Sequence, residues 1–381
     1  MVLHIFHAHS LFTDLAKKCF SEAGIKSYFL ILEDESGNAP LTKDTVYMKI
    51  GSEKYAAFLH NELNTFKLII FHGLLKANLK CIREITKMKA LKPEVSWVIY
   101  GAEIQDSLIN PSYFLGLKTA MAYYFLRPYR LAFPLLRVIN RLRGYDLKSS
   151  ISKVNYFAHF IPQELDFVAK HTGVRQPMLW HSYAMIENFI EPSVMHSEIN
   201  KEGNIFIGNS ASFTSNHLEI FHKLKKMNVG DRKIVVPLSY GNSQYAKYIC
   251  RKGKQLFFNQ FVGLRVFMDK EEYHKILLNC SVMILNHNRQ QALGNIVSAA
   301  WLGMRIYIRE EISTYKFFKE LGLHVYSIEK HLISSDPDVF SALSQQQVLH
   351  NRSVLTKLFS KEHAIQKIRD SYMQFSEQKN V

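Results

Sequence analysis

Val282-Met-Ile-Leu-Asn-His-Asn-Arg-Gln-Gln-Ala-Leu-Gly-Asn-Ile-Val-Ser-Ala-Ala300 changes character twice along its length. The first four residues are apolar, as a buried strand requires. Asn286 to Gln291 are six polar residues in succession, which cannot continue that strand through a core. A small-residue helix opens straight after, headed by Gly294 and Asn295. A strand passing through a polar loop into a helix is the repeating unit of parallel α/β sheets. Ligands bind such sheets beyond the carboxyl ends of the strands. Asn286, Arg289, Gln290, Gln291, Gly294 and Asn295 are therefore candidate ligand contacts. Arg289 suits phosphate oxygens, and the N–H groups near Gly294 and Asn295 point the positive helix end at the same place. A solvated loop carrying an arginine is the alternative reading.

The same alternation extends in both directions. Downstream, Arg305–Ile308, a helix near Thr314–Glu320 and His324–Ile328 follow. Upstream in the same half, Asn204–Ile207 reads as a strand entering Gly208-Asn209-Ser210, followed by a helix over roughly Asn216–Met227. Lys233–Leu238 is a further strand, with helices at Ser243–Arg251 and Lys270–Leu278. The N-terminal half repeats the pattern: strands at Val2–Phe6, Tyr28–Leu32, Val46–Ile50, Leu68–Phe71, Trp97–Tyr100 and Met178–Tyr183, with helices at Leu11–Ala23, Glu53–Asn64 and near Lys76–Lys89. The polar stretch Glu187–Glu202, with Pro192, marks a boundary. The expected fold is α/β, with two Rossmann-like domains facing a central cleft, over 1–190 and 200–360, and a tail of helical spacing over 361–381.

The chain has 381 residues, 47% apolar and 13% aromatic, which excludes disorder. Lys and Arg total 48 against 33 Asp and Glu, an excess of 15 positive charges. That excess predicts a polyanionic partner: a phosphorylated substrate, an anionic membrane surface or nucleic acid. Four scattered cysteines with no C-x-x-C predict neither a zinc ribbon nor a disulfide framework, and fit a reducing cytoplasm. The N-terminus lacks the basic region and long apolar core of a signal peptide. The most apolar stretch, Tyr123–Ile139, is interrupted by arginines and prolines, so a spanning helix is not expected.

Other strand ends carry further candidates. Gly208, Asn209 and Ser210 offer small residues and hydroxyls to a phosphate at a helix N-terminus, or else form an ordinary capped turn. His72-Gly73 and Gly101-Ala102-Glu103 end two N-terminal strands. Glu103 is a candidate catalytic base whose alternative is N-capping or an ion pair. His9, beyond the first strand, is a second acid–base candidate; with His7 it lacks a carboxylate at ligand spacing, so no metal site is expected. Asp336-Pro337-Asp338 has the D-x-D pattern of metal-dependent sugar transferases, yet Pro just inside reads as a helix N-terminus. Tyr113–Lys153 carries Lys118, Arg127, Arg130, Arg137, Arg141, Arg143, Lys148 and Lys153 against Asp146 alone, interleaved with aromatics. Such a segment suits anionic lipid; a solvated basic face and a nucleic-acid surface are its alternatives.

Phe71-His72-Gly73, Gly101-Ala102, Gly208-Asn209-Ser210 with Asn216 and His217, Val235-Val236-Pro237 with Tyr240, Arg289-Gln290-Gln291 with Gly294, and Arg309-Glu310 follow one another in an order that resembles the glycosyltransferases of family 56. The family's known activity adds 4-acetamido-4,6-dideoxygalactose (Fuc4NAc) from a dTDP donor to lipid II of enterobacterial common antigen. This chain has Glu103 where the family pattern has Asp, and Asn295 where it has Thr. The resemblance implies a GT-B fold, with the acceptor side N-terminal (His72, Gly73, Gly101), the nucleotide-sugar side C-terminal and the last helix crossing back. On that fold a dTDP-sugar pocket is expected at Gly208, Asn209, Ser210, Tyr240, Asn286, Arg289, Gln290, Gln291, Gly294, Asn295 and Glu310; Glu310, just after a late strand, is the candidate for the ribose hydroxyl or else a surface charge. It implies no metal or other cofactor, a lipid-linked saccharide acceptor for surface polysaccharide such as O-antigen, and a peripheral place on the cytoplasmic face of the inner membrane. Arg127, Arg130, Arg137, Arg141 and Arg143 would face that membrane. The alternatives are a UDP-sugar transferase, an assembly partner without activity, or a nucleic-acid-binding protein, and the last leaves the Arg-Gln-Gln loop unexplained.

Overall fold

The computed structural model describes residues 1–33, 43–75, 77–101, 103–104, 109–132, 135, 138–139, 142, 147–200 and 202–376. The chain divides into two compact units: Met1–Asn110, Pro134–Tyr183 and Lys361–Val381 in the first, Pro111–Phe133 and Ala184–Ser360 in the second.

The first unit is built on seven strands: β1 Val2–Phe6, β2 Ser27–Ile31, β3 Thr45–Tyr47, β4 Leu68–His72, β5 Glu94–Val98, β6 Tyr156–Ala158 and β7 Met178–Leu179. They form one parallel sheet in the order β3-β2-β1-β4-β5-β6-β7. β1 and β4 are buried at every residue, as central strands covered on both faces must be. The helix Leu11–Glu22 buries Thr13, Ala16, Cys19 and Phe20 along one stripe. Against it lies the last helix, Lys361–Ser376, through its buried Ala364, Ile368, Tyr372 and Phe375. Arg369 Nε donates to the Ala23 carbonyl at 3.1 Å and Lys361 pairs with Glu22 at 2.9 Å. Fully burying one such large apolar side chain contributes about 1.5–3 kcal/mol.

The second unit has six strands: β8 Asn204–Ile207, β9 Ile234–Pro237, β10 Phe261–Leu264, β11 Cys280–Leu285, β12 Arg305–Ile308 and β13 Val325–Ser327. Their order is β10-β9-β8-β11-β12-β13, again all parallel. In both sheets the chain runs outward in one direction and then in the other, so the crevice-forming switch falls between β1 and β4, and between β8 and β11. Val282 to Ala300 spans most of β11, its loop and most of the helix Leu293–Leu302.

Four expectations need correction. Residues 111–133 do not belong to an N-terminal domain of 1–190. Leu115, Ala122 and Tyr123 join the apolar core of the second unit, where Tyr123 meets Phe213 edge-on, and Thr119 binds Glu219 through both its N–H (2.9 Å) and its hydroxyl (2.6 Å). Asp336 does not begin a helix over 339–343: its carboxylate accepts from the Asp338 N–H at 2.9 Å within a turn and pairs with Arg305. The strand expected at Trp97–Tyr100 is Glu94–Val98, and the helix expected to end at Arg251 runs to Phe257. β6, β10 and the helices Pro162–Thr172 and Gln345–Phe359 were not foreseen. Among the described residues no helix is long and apolar enough to cross a membrane.

Candidate active site

The loops after β8, β9 and β11 meet at the switch point of the second unit. Gly208, at φ +73°, ends β8 with its N–H on the Ile284 carbonyl at 2.9 Å. A Cβ there would stand 2.7 Å from His217 Nε2, so a glycine is required for the histidine ring to pack under the turn. Asn209 donates from Nδ2 to the Tyr240 hydroxyl at 3.1 Å and accepts on Oδ1 from Gln291 Nε2 at 2.7 Å. Gln291 Oε1 in turn accepts from the Thr214 hydroxyl at 2.7 Å, which bonds Ser212 at 2.8 Å. One glutamine side chain thus ties the β11 loop to both ends of the β8 loop. Beneath it, Asn216 and Asn286 exchange side-chain-to-carbonyl bonds at 3.0 and 3.3 Å, and Ser210 is buried.

Ala292, at φ +63°, precedes the helix Leu293–Leu302, whose N-terminus has no side-chain cap. Its first N–H groups keep their hydrogen-bonding capacity for a ligand. Arg289, partly buried, donates to the Gln290 carbonyl at 3.2 Å. Asn295 Nδ2 donates to the Tyr273 hydroxyl at 2.8 Å. A Cβ on Gly294 would lie 3.1 Å from the Phe189 ring, so this glycine serves close helix packing as much as ligand approach. Burial pushes His217 and His287 down to about 3, with Arg289 and His217 adding to the effect on His287, so both stay neutral. Glu310, just past β12, is bonded to Lys330 at 2.9 Å, and that bond holds its carboxyl below the usual range.

In the first unit the strand ends carry the expected residues in contrasting settings. His72 is fully buried: Nε2 bonds His4 Nδ1 at 2.9 Å, Nδ1 bonds the Tyr183 hydroxyl, and the ring stacks on Phe6 at 3.9 Å. Burial drives its pKa well below 6.5, helped by His4 and His181. The ring is thereby part of the core rather than an open contact. Gly73 sits at the end of β4 with its N–H on the Val98 carbonyl at 3.1 Å, and Gly101 follows β5; Ala102 lies outside the described residues. Glu103 is 0% exposed. Its Oε1 accepts from the Trp97 indole at 3.0 Å and the Tyr100 N–H at 3.1 Å, while Oε2 has no partner among the described residues. Burial raises its pKa against the pull of those bonds.

His9 is different. Its side chain is 27% exposed, its N–H is held by Glu33 at 2.8 Å, and Nε2 lies 3.1 Å from Asp14 Oδ1. That carboxylate comes from the first turn of the helix Leu11–Glu22 and orients the ring through Nε2. Arg127 folds over Tyr123 and Phe213, and Arg130 over Tyr129; Arg137, Arg141 and Arg143 lie outside the described residues. Asp14, Thr214 and Tyr273 were not singled out in the sequence. Thr214 lies in the run Ser212-Phe-Thr-Ser215, rich in hydroxyls, just before Asn216, whereas nothing local marks Asp14 or Tyr273. Among the described residues no group of three His, Cys, Asp or Glu side chains is placed to hold a metal ion.

Solved structures with this architecture are similar along nearly the whole chain. Sucrose-phosphate synthase from Thermosynechococcus elongatus superposes with a TM-score of 0.66 at 8% identity, covering 98% of each chain. The Anabaena protein HepE, solved in complex with UDP-glucose, gives 0.58 at 10% identity over 98% of this chain and 99% of its own. A trehalose-6-phosphate synthase, OtsA, gives 0.58 at 9% identity over 98% of both. At these identities the likeness is one of fold, the GT-B arrangement of two Rossmann-like sheets. No curated protein sequence matches the chain. The family described as 4-alpha-L-fucosyltransferase, glycosyl transferase group 56, matches residues 57–360, a span that holds every second-unit loop described above. With that match over most of its length, the chain belongs to glycosyltransferase group 56 and is a nucleotide-sugar-dependent glycosyltransferase.

Proposed function

We propose that the enzyme transfers a deoxyamino sugar of the Fuc4NAc kind from a dTDP donor to a saccharide carried on a lipid diphosphate, without a metal ion, at the cytoplasmic face of the inner membrane in surface-polysaccharide assembly. The observation that carries the reading is the bridge Thr214–Gln291–Asn209–Tyr240, which braces three loops around an uncapped helix N-terminus at a strand-switch point. A diphosphate is the ligand such an end favours, because unbonded N–H groups and the helix dipole converge on it. Arg289 adds a positive charge where the leaving group becomes more negative as the glycosidic bond breaks. Glu310 is the candidate for the ribose hydroxyls, its charge maintained by Lys330. The sugar and nucleotide come from the resemblance to group 56 donors, and the family description names transfer of a 6-deoxy sugar.

If the reaction inverts, the acceptor oxygen bonds the anomeric carbon as the bond to diphosphate breaks, and a base takes the hydroxyl proton. His9 with Asp14 is the stronger candidate than Glu103, because a base must reach its proton and the Glu103 carboxyl is sealed from solvent. If configuration is retained, neither is needed as a separate base. The rival donor is a UDP sugar, the ligand class seen in HepE. Incubating the protein in EDTA with a short-chain lipid diphosphate saccharide and a panel of nucleotide sugars separates them by mass spectrometry. The proposal expects a product from dTDP-linked 4-acetamido-4,6-dideoxygalactose. Transfer from UDP sugars alone would overturn the donor assignment, and dependence on an added divalent ion would overturn the metal-free mechanism.

A further inference from the structure

The helix Leu117–Leu126 shows two faces. Thr119, Ala122 and Tyr123 are buried in the second unit, held by the Thr119–Glu219 bonds and by the Gly116 N–H on Asn216 Oδ1 at 2.8 Å. On the other side Leu117, Met121 and Phe125 are 79, 67 and 74% exposed. Their four-residue spacing stacks them along one edge of the helix, and the exposed Tyr129 and Leu131 follow in the next turn of chain. An apolar ridge of this size held on a rigid scaffold marks an interaction surface rather than scattered exposure. Beside it opens a groove of about 490 Å³ whose rim is Lys118, Lys223 and Lys226 and whose wall includes Met227, Leu332 and Ile333. No carboxylate lines it, and none of the three lysines makes an ion pair among the described residues. Residues 111–142 contain five Lys or Arg and no Asp or Glu.

We infer that this ridge and groove dock the second unit on an anionic lipid bilayer, with the ridge entering the acyl–headgroup boundary and a lipid phosphate seated among Lys118, Lys223 and Lys226. The chemistry is that of interfacial helices: apolar side chains on one edge, cations beside them, and phosphates as their counterions. A second copy of the chain is disfavoured as occupant, because a symmetric contact would bring the lysine rims against each other. A nucleic acid would match the lysines and leave the Leu117–Met121–Phe125 ridge in water. The inference does not rest on the donor reading: it assigns the membrane contact to the unit that carries the Gln291 loop, and to lysines and an apolar ridge rather than to Arg127 and Arg130, which stack on aromatic rings.

The test is co-sedimentation of the purified full chain with vesicles of phosphatidylcholine, alone or with one-third phosphatidylglycerol. Wild type should bind the anionic vesicles, bind neutral ones far less, and release at high salt. Met121→Gln with Phe125→Gln, and separately Lys118→Glu with Lys223→Glu and Lys226→Glu, should each weaken partitioning by at least about tenfold. Nucleotide-induced thermal shifts should remain as in wild type, so a failure here is distinguishable from a failure of the donor reading. As a measurement free of substitutions, acetylation of Lys118, Lys223 and Lys226 in wild type should slow when anionic vesicles are present. Binding unaffected by either set of substitutions, no binding of wild type, unchanged acetylation, or a dimer that the ridge substitutions disperse would each overturn the inference.

Discussion

His9 keeps part of its ring in solvent and a carboxylate 3.1 Å from Nε2, whereas His72 has both ring nitrogens bonded inside the core. On the proposed mechanism this difference makes His9, and not His72, the candidate for moving a proton during turnover. If the reaction inverts with His9 as the base, His9→Ala should lower kcat by about 10²–10⁴, the usual worth of a general base, with little change in the donor's KM. Asp14→Asn should lower it less, by loosening the ring and its tautomer. Glu103→Gln preserves the acceptor oxygen for Trp97 and Tyr100 and should keep near-wild-type activity. Glu103→Ala strands both donors and should cost about 2–5 kcal/mol of stability by denaturant unfolding. An inactive but stable Glu103→Gln protein would return the base to Glu103.

At the scale of elements, the polar run from Asn286 to Gln291 was legible as a loop at a strand's end, because nothing so polar continues a buried strand. Its internal wiring was not. That Gln291 rather than Arg289 spans to Asn209 and Thr214 depends on loops 77 and 82 residues away in sequence. Gln291→Leu should therefore weaken nucleotide binding by about tenfold or more, the worth of two hydrogen bonds, measured by calorimetry, while leaving the fold intact. Strongly periodic elements such as β1, β4 and the helix Leu11–Glu22 were visible in the sequence. β6 is only Tyr156–Ala158, too short to show alternation, and the helix Gln345–Phe359 buries Asn351 in line with Val348 and Leu355, which blurs its apolar stripe. The segment 111–133 read as basic and aromatic, but its allegiance to the second unit rests on Thr119 meeting Glu219 a hundred residues on.

Across the molecule, both units hold buried histidines kept neutral by their surroundings. Burial holds His159 at about 4 and His181, His217 and His287 at about 3. Each has a folded pKa below its unfolded value near 6.5, so the unfolded chain takes up protons first as pH falls. Their contribution to stability is complete above about pH 6.5 and is lost progressively toward pH 4 and 3, by up to about 1.4 kcal/mol per pH unit for each ring. Unfolding midpoints in denaturant should be flat from pH 8 to 7 and drop steeply below 6; a flat profile to pH 5 would show that these rings are not buried neutral. We propose that the β8, β9 and β11 loops of the second unit bind a nucleotide diphosphate without a metal ion. Thermal unfolding in EDTA, titrated separately with dTDP, UDP, GDP and ADP, tests it most directly, since a ligand at a hundred times its Kd adds about 2.7 kcal/mol to the folded state. Tm should rise, most with dTDP; an unfolding temperature unmoved by all four would rule out this diphosphate site.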